Sequence, residues 1–172
     1  GAARPAGHGR PAAALGGVTT LVDMPLNCLP VTTTAAALEA KQAAAAGRLR
    51  VDCGFWGGVV PGNAGELPAM VKAGALGFKA FLCHSGIDEF PASDERVLRE
   101  AMRVLARLGV PLLVHAELEH PLRPPGGGLG STDGDPDDLD PTRYLAWLHA
   151  RPRSFEDGAV ARMIDLVRET GC

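Results

Sequence analysis

Apolar residues in this chain come in short bursts, separated by stretches whose apolar positions recur at helical spacing. After Gly16-Gly17, the β-branched run Val18-Thr19-Thr20-Leu21-Val22-Asp23 predicts a buried strand. Met24-Pro25-Leu26-Asn27 turns away from it, because Pro25 cannot stay in a ladder. An alanine-rich helix is predicted over 34–46, capped by Thr33 and ended by Gly47, with Leu38 as nearly its only large apolar anchor. A second strand, Val51 to Phe55, leads into Gly57-Gly58-Val59-Val60-Pro61-Gly62-Asn63. A short helix over 66–73 stops at Gly74, and a third strand follows from Phe78 to Leu82. Ser93 is the expected cap of a long helix, with Asp94 and Glu95 at the positive end of its dipole. Val97, Ala101, Val104, Leu105 and Leu108 form that helix's buried face, and Gly109 ends it. Val110 to Val114 is the fourth strand, and it delivers His115-Ala116-Glu117. Two helices follow, over 142–150 and 155–169. Ser154 and Asp157 give the second a cap signal, and Gly171 ends it.

Strand and helix thus alternate with a repeat of about 25 to 35 residues, the rhythm of parallel βα units. The apolar strands are continuous, which predicts cover on both faces. The expected fold is α/β: part of a TIM-type (β/α)8 barrel, with four central βα units and the barrel not closed. A Rossmann-type sheet has the same rhythm, but no G-x-G-x-x-G opens a helix here. Residues 1–15 read as an irregular leader and 16–172 as the barrel domain. The Pro-, Gly- and Asp-rich loop over 121–140 follows a strand, which in a barrel puts it on the C-terminal face.

Composition narrows the class. The 172 residues are 46% hydrophobic and 22% charged, with net charge -3. Nothing basic enough for a nucleic-acid partner stands out, and no apolar run nears the length of a membrane span. The first nine residues do not read as a signal peptide. The four cysteines are far apart and form no C-x-x-C, which points to thiols in a reducing compartment, the cytoplasm.

One charge breaks the pattern. Lys79 sits inside the apolar run Phe78-Lys79-Ala80-Phe81-Leu82. It is either a rim lysine with its ammonium in water, or a lysine used chemically, as a Schiff-base amine or a carboxylated metal bridge. His115 lies 36 residues on, one βα repeat, and closes the next strand at the same rim. Asp23 and Asn27 stand at the end of the first strand, where Asp23 also fits a turn role. His84 and Ser85 either end the third strand or reach a ligand. Cys83, His84 and Ser85 cannot pair as nucleophile and base, because strand neighbours point to opposite faces. His8, His120 and His149 have no supporting context, and Trp56 reads as packing.

Four stretches together resemble the allantoinase family of cyclic amidohydrolases, which also includes hydantoinases, dihydropyrimidinases and dihydroorotases. They are Gly17 to Asn27, Val51 to Asn63, Gly77 to Pro91 and Val114 to Glu117. G-G-V-T-T and V-H-A-E are shared across the group, whereas F-W-G-G-V-V-P-G-N and F-K-A-F-L-C-H-S-G-I-D-E-F are more particular to allantoinases. The resemblance implies a metal-dependent barrel that opens the ring amide of allantoin to allantoate. It implies two divalent ions, zinc by expectation, bridged by a carboxylated Lys79 and bound by His115. Asn27 and Ser85 are the implied substrate contacts, a small cyclic ureide is the implied partner, and the complete protein is an expected homotetramer. The family's H-x-H strand, its further histidine and its last-strand aspartate are not matched, so two of six metal-site residues are present and the fragment alone is expected to be inactive. Three rival readings remain: a hydantoinase or dihydropyrimidinase, a metal-free scaffold of the same fold, and a Schiff-base aldolase using Lys79.

Overall fold

The computed structural model describes residues 9–118, Thr142, Tyr144 and 151–172. Its elements are α1 (Gly9–Leu15), β1 (Thr20–Asp23), α2 (Ala35–Ala45), β2 (Asp52–Gly58), α3 (Leu67–Lys72), β3 (Ala75–Phe81), α4 (Glu95–Leu108), β4 (Leu112–His115) and α5 (Arg153–Thr170). Apart from Thr142 and Tyr144, the helix expected over 142–150 lies outside the described residues, as do the 121–140 loop and His8, His120 and His149. Within the expected irregular leader, residues 9–15 form the short helix α1.

The four strands pair in parallel in the order β1-β2-β3-β4. Each crossover therefore steps to the next strand in the same direction. Right-handed crossovers then put every helix on one face, as in a barrel, whereas a doubly wound sheet reverses its order part-way. A single core on that face joins Leu38 of α2, Met70 of α3, Phe78 and Ala80 of β3, Leu98 and Leu105 of α4, and Ala159 and Leu166 of α5. The opposite face is open among the described residues: Val22 is 40% exposed, Leu76 53% and Leu113 39%. The expectation that both strand faces are covered therefore holds for one face only. Helices on a single side supply cover for that side alone.

Several boundaries shift by one to three residues, each for a physical reason. Thr34, in extended conformation, caps α2 by accepting from Ala37 N at 3.2 Å, one residue later than Thr33. Asp94 caps α4 by accepting from Val97 N at 2.8 Å. Ser93 is engaged elsewhere, its hydroxyl donating to Val59 O at 3.2 Å. α5 begins after Pro152 with no side-chain cap, so the Ser154 signal is not used. β3 begins at Ala75 rather than Phe78 because Ala75 already pairs with Phe55, and the register shifts across Leu76-Gly77 before Phe78 pairs with Gly57. A Cβ at Gly77 would lie 2.3 Å from Trp56 Cζ3 and 2.9 Å from Pro111 O, so Trp56 packs directly over a glycine. Gly109 and Gly171 end α4 and α5 in the left-handed region, as expected, with φ of 67° and 72°.

The Gly57-to-Asn63 motif is a clamp that ties together loops at the C-terminal ends of the strands. Asn63 is buried, and its Nδ2 donates to Thr33 O at 3.0 Å and to Gly58 O at 2.9 Å. Its Oδ1 accepts from Val60 N at 3.0 Å. Asn63→Ala would remove three hydrogen bonds to backbone groups, one buried and two part-buried, so it is expected to destabilise the chain by about 1–3 kcal/mol, read by chemical denaturation.

Candidate metal and substrate site

Lys79 lies in the middle of β3, between buried Phe78 and Ala80, and faces the open side of the sheet. It pairs in register with Leu113, and Phe81 pairs with His115. Lys79 and His115 therefore share one face of neighbouring strands, offset by two residues, about 7 Å along the strand. Lys79 Nζ stands 5.1 Å from the centre of the Phe81 ring, and the His115 ring stacks on Phe81 with centroids 5.1 Å apart and planes at 15°. Phe81 thus touches both. Among the described residues the Lys79 amine has no hydrogen bond or ion pair, and burial pushes its pKa below the usual lysine value.

His115 Nε2 lies 3.2 Å from Glu117 Oε2. Arg151 grips the same carboxylate through Nε and Nη2. The hydrogen bond from Arg151 holds the Glu117 carboxyl below the usual carboxylate range, and His115 adds to this. Cys83, buried beyond the end of β3, completes the group: its sulfur, a His115 ring nitrogen and a Glu117 oxygen all lie within 4.8 Å of one another. Cys83 and Glu117 are the residues that reading the sequence missed. No local signal marks them, because each lies two residues beyond the end of its strand, where strand alternation no longer fixes the side-chain direction.

The remaining sequence candidates are distributed differently. Asp23 turns to the helical side and pairs with Lys41 of α2 at 2.7 Å, while Lys41 also donates to Met24 O at 2.6 Å. Asn27 is exposed in the loop after β1, in the left-handed region with φ of 61°. Ser85 Oγ sits 2.6 Å from Phe90 O and 3.1 Å from Ile87 O, so its hydroxyl fastens the loop after β3 onto itself. That loop buries Phe90, which meets Phe81 edge to face at 5.7 Å. His84 accepts from Gly86 N at 3.1 Å and faces Asp88 at 3.5 Å within the same loop.

With this geometry in hand, the comparisons with known proteins are specific. The chain is 44% identical over 165 residues to the allantoinase of Arabidopsis thaliana, covering 94% of this chain and 31% of that protein. It is 46% identical over 155 residues to the allantoinase of Streptomyces avermitilis, covering 89% of this chain and 32% of that protein. The resemblance is to the allantoinase family, over part of its length. The chain spans about a third of the length of these curated relatives. Among solved structures, the L-hydantoinase (dihydropyrimidinase) of Arthrobacter aurescens superposes with a TM-score of 0.79 at 31% identity, covering 99% of this chain and 36% of that one. The D-hydantoinase of Thermus sp., at 21% identity and a TM-score of 0.68, supports the fold. No model of a protein family matches the chain. The four-stranded sheet is therefore part of a barrel of the allantoinase and hydantoinase kind. No helix among the described residues is long and apolar enough to cross a membrane.

Proposed function

We propose that the polypeptide to which these residues contribute opens the ring amide of allantoin by hydrolysis to allantoate. The amide C–N bond breaks, the hydroxyl of water goes to the carbonyl carbon, and its hydrogen goes to the released nitrogen. The observation that carries this reading is Lys79. It is a partly buried amine in mid-strand, without an anionic partner among the described residues, one strand from His115. Its depressed pKa favours the neutral amine, which adds carbon dioxide and releases one proton to become a carboxylated lysine. That converts an awkward cation into an anion with two oxygens on a flexible stem.

In this reading Lys79 and His115 hold a pair of divalent ions, zinc by preference. Such ions, when bound, supply Lewis acidity toward the amide carbonyl and make water nucleophilic near neutral pH. Phe81 fixes the plane of the His115 ring by stacking on it. Asn27, exposed after β1, is assigned to the substrate, and Ser85 to holding the loop beside it. The complete protein is a homotetramer acting on a small cyclic ureide. The cytoplasm fits four cysteines of which none forms a disulfide.

A hydantoinase or dihydropyrimidinase is the second reading, favoured by the superposition on the A. aurescens enzyme. Allantoin is preferred because the allantoinase relatives reach 44–46% identity against 31% for that hydantoinase. A metal-free scaffold is disfavoured by the retention of Lys79 and His115. A graft of residues 16–172 into the S. avermitilis allantoinase, in place of its matching segment, discriminates. The graft is expected to turn over allantoin well ahead of hydantoin and dihydrouracil, and the isolated 172-residue chain to turn over none. Preference for hydantoin would move the assignment to the second reading, and turnover by the isolated chain would refute the need for the rest of the barrel.

A further inference from the structure

We propose that Cys83, His115 and Glu117 form a three-ligand site for a thiophilic divalent cation of the zinc type, which shares His115 with the Lys79–His115 pair and does not use Lys79. The backbone brings the three together. Phe81 and His115 are register partners, and Leu82 N donates to His115 O at 3.2 Å, so the chains continue side by side past the last ladder pair. Two residues beyond each strand stand Cys83 and Glu117, where a tight turn, Glu117 N donating to His115 O at 3.1 Å, brings the Glu117 carboxylate beside the His115 ring and the Cys83 sulfur.

The donor atoms are already close to ligating distances. His115 Nε2 and Glu117 Oε2 are 3.2 Å apart, and the whole set fits within 4.8 Å. Stacking on Phe81 restrains the imidazole, and Arg151 restrains the carboxylate. Arg151 bonds both Glu117 oxygens and interacts with Cys83, so a cation here shares the carboxylate with the guanidinium. A carboxylate offers about four lone-pair sites, and ligating carboxylates are commonly hydrogen-bonded on their far side. Sulfur, imidazole nitrogen and one carboxylate oxygen make a borderline-soft set, which selects zinc-like ions over magnesium or calcium. Three protein ligands leave a fourth position open. Binding exchanges the thiol proton for the cation, with no change in oxidation state.

The proposal shares His115 with the two-metal reading but does not rest on it, and one titration separates them. The purified chain is titrated with Co2+ alone while the thiolate-to-cobalt charge-transfer absorption is followed. The expected result is a band that saturates at one ion per chain, is displaced by Zn2+, disappears in Cys83→Ser and persists in Lys79→Ala. Glu117→Gln, a near-isosteric change, is expected to weaken cobalt binding by more than the roughly 10–100-fold that loss of an outer-shell partner costs, with circular dichroism unchanged. Absence of the band in the unsubstituted chain overturns the proposal. So does a band that survives Cys83→Ser, which would come from another cysteine, or a band that requires Lys79.

Discussion

Phe78→Ala is expected to destabilise the chain by about 3–5 kcal/mol, enough to unfold a marginal domain. Phe78 is fully buried on the helical side of β3, and its ring edge fills the space where a Cβ at Gly57 would stand, 2.5 Å from Phe78 Cε1. Met70 of α3 closes the same space, its Cε 2.8 Å from that position. Removing the ring deletes apolar contacts and leaves a cavity that a glycine cannot refill. Urea denaturation monitored by circular dichroism checks this. A loss below about 1 kcal/mol would mean that the β3–α3–α4 core is packed differently.

The neighbouring residue is expected to behave in the opposite way. Lys79→Met in the graft should cut allantoin turnover by more than about 100-fold, since a bridging ligand matters more than the outer-shell partners whose loss costs about 10–100-fold. In the isolated chain the same substitution should raise stability, because it removes a partly buried charge that has no anionic partner among the described residues. The sign of the pH dependence follows from the same observation. The folded-state pKa of Lys79 is lowered, so between it and the unfolded value the unfolded chain binds more protons. The desolvation cost is fully present below the folded pKa and is relieved as pH rises toward the unfolded pKa. Stability of the unsubstituted chain should therefore rise over that alkaline window relative to Lys79→Met. A chain that is less stable with methionine at every pH would make Lys79 a structural residue.

The contrast between Phe78 and Lys79 also explains what could be read in advance. Period two along Phe78 to Leu82, period 3.6 along Val97 to Leu108, and glycines at helix ends are local signals, and the fold rests on them. They place the four strands, their parallel order and the helices between them. What local signals miss is competition for the same atom. Ser93 looks like a cap, yet its hydroxyl answers a carbonyl 34 residues away, so Asp94 caps instead. Ser85 looks like a substrate contact at the rim, yet its hydroxyl closes its own loop. Asn63 attracts no attention in sequence because its three partners are backbone groups, two in its own turn and one, Thr33 O, 30 residues away.

The site divides along the same line. Lys79 was legible because a charge in an apolar strand violates a local rule. His115 followed from the βα repeat. Cys83 was not legible, since a buried thiol is an ordinary small apolar residue until a histidine and a carboxylate come beside it. Glu117 is not legible by itself, because its role depends on Arg151, 34 residues away and just before α5.

The open face of the sheet frames what remains. Val22, Leu76 and Leu113 lie on the same side as Lys79 and are substantially exposed, and β1 and β4 each have one unpaired edge among the described residues. A lysine at the centre of such a face is a metal bridge only when the rest of a barrel closes over it. Native mass spectrometry of the graft tests this most directly. The predicted result is a bridged pair of divalent ions and one carbon dioxide added at Lys79, with the carbon dioxide and the bridged pair lost in Lys79→Met and at most one ion, that of the Cys83 site, retained. A graft that hydrolyses allantoin with Lys79 unmodified, or that keeps both ions without it, would contradict the account.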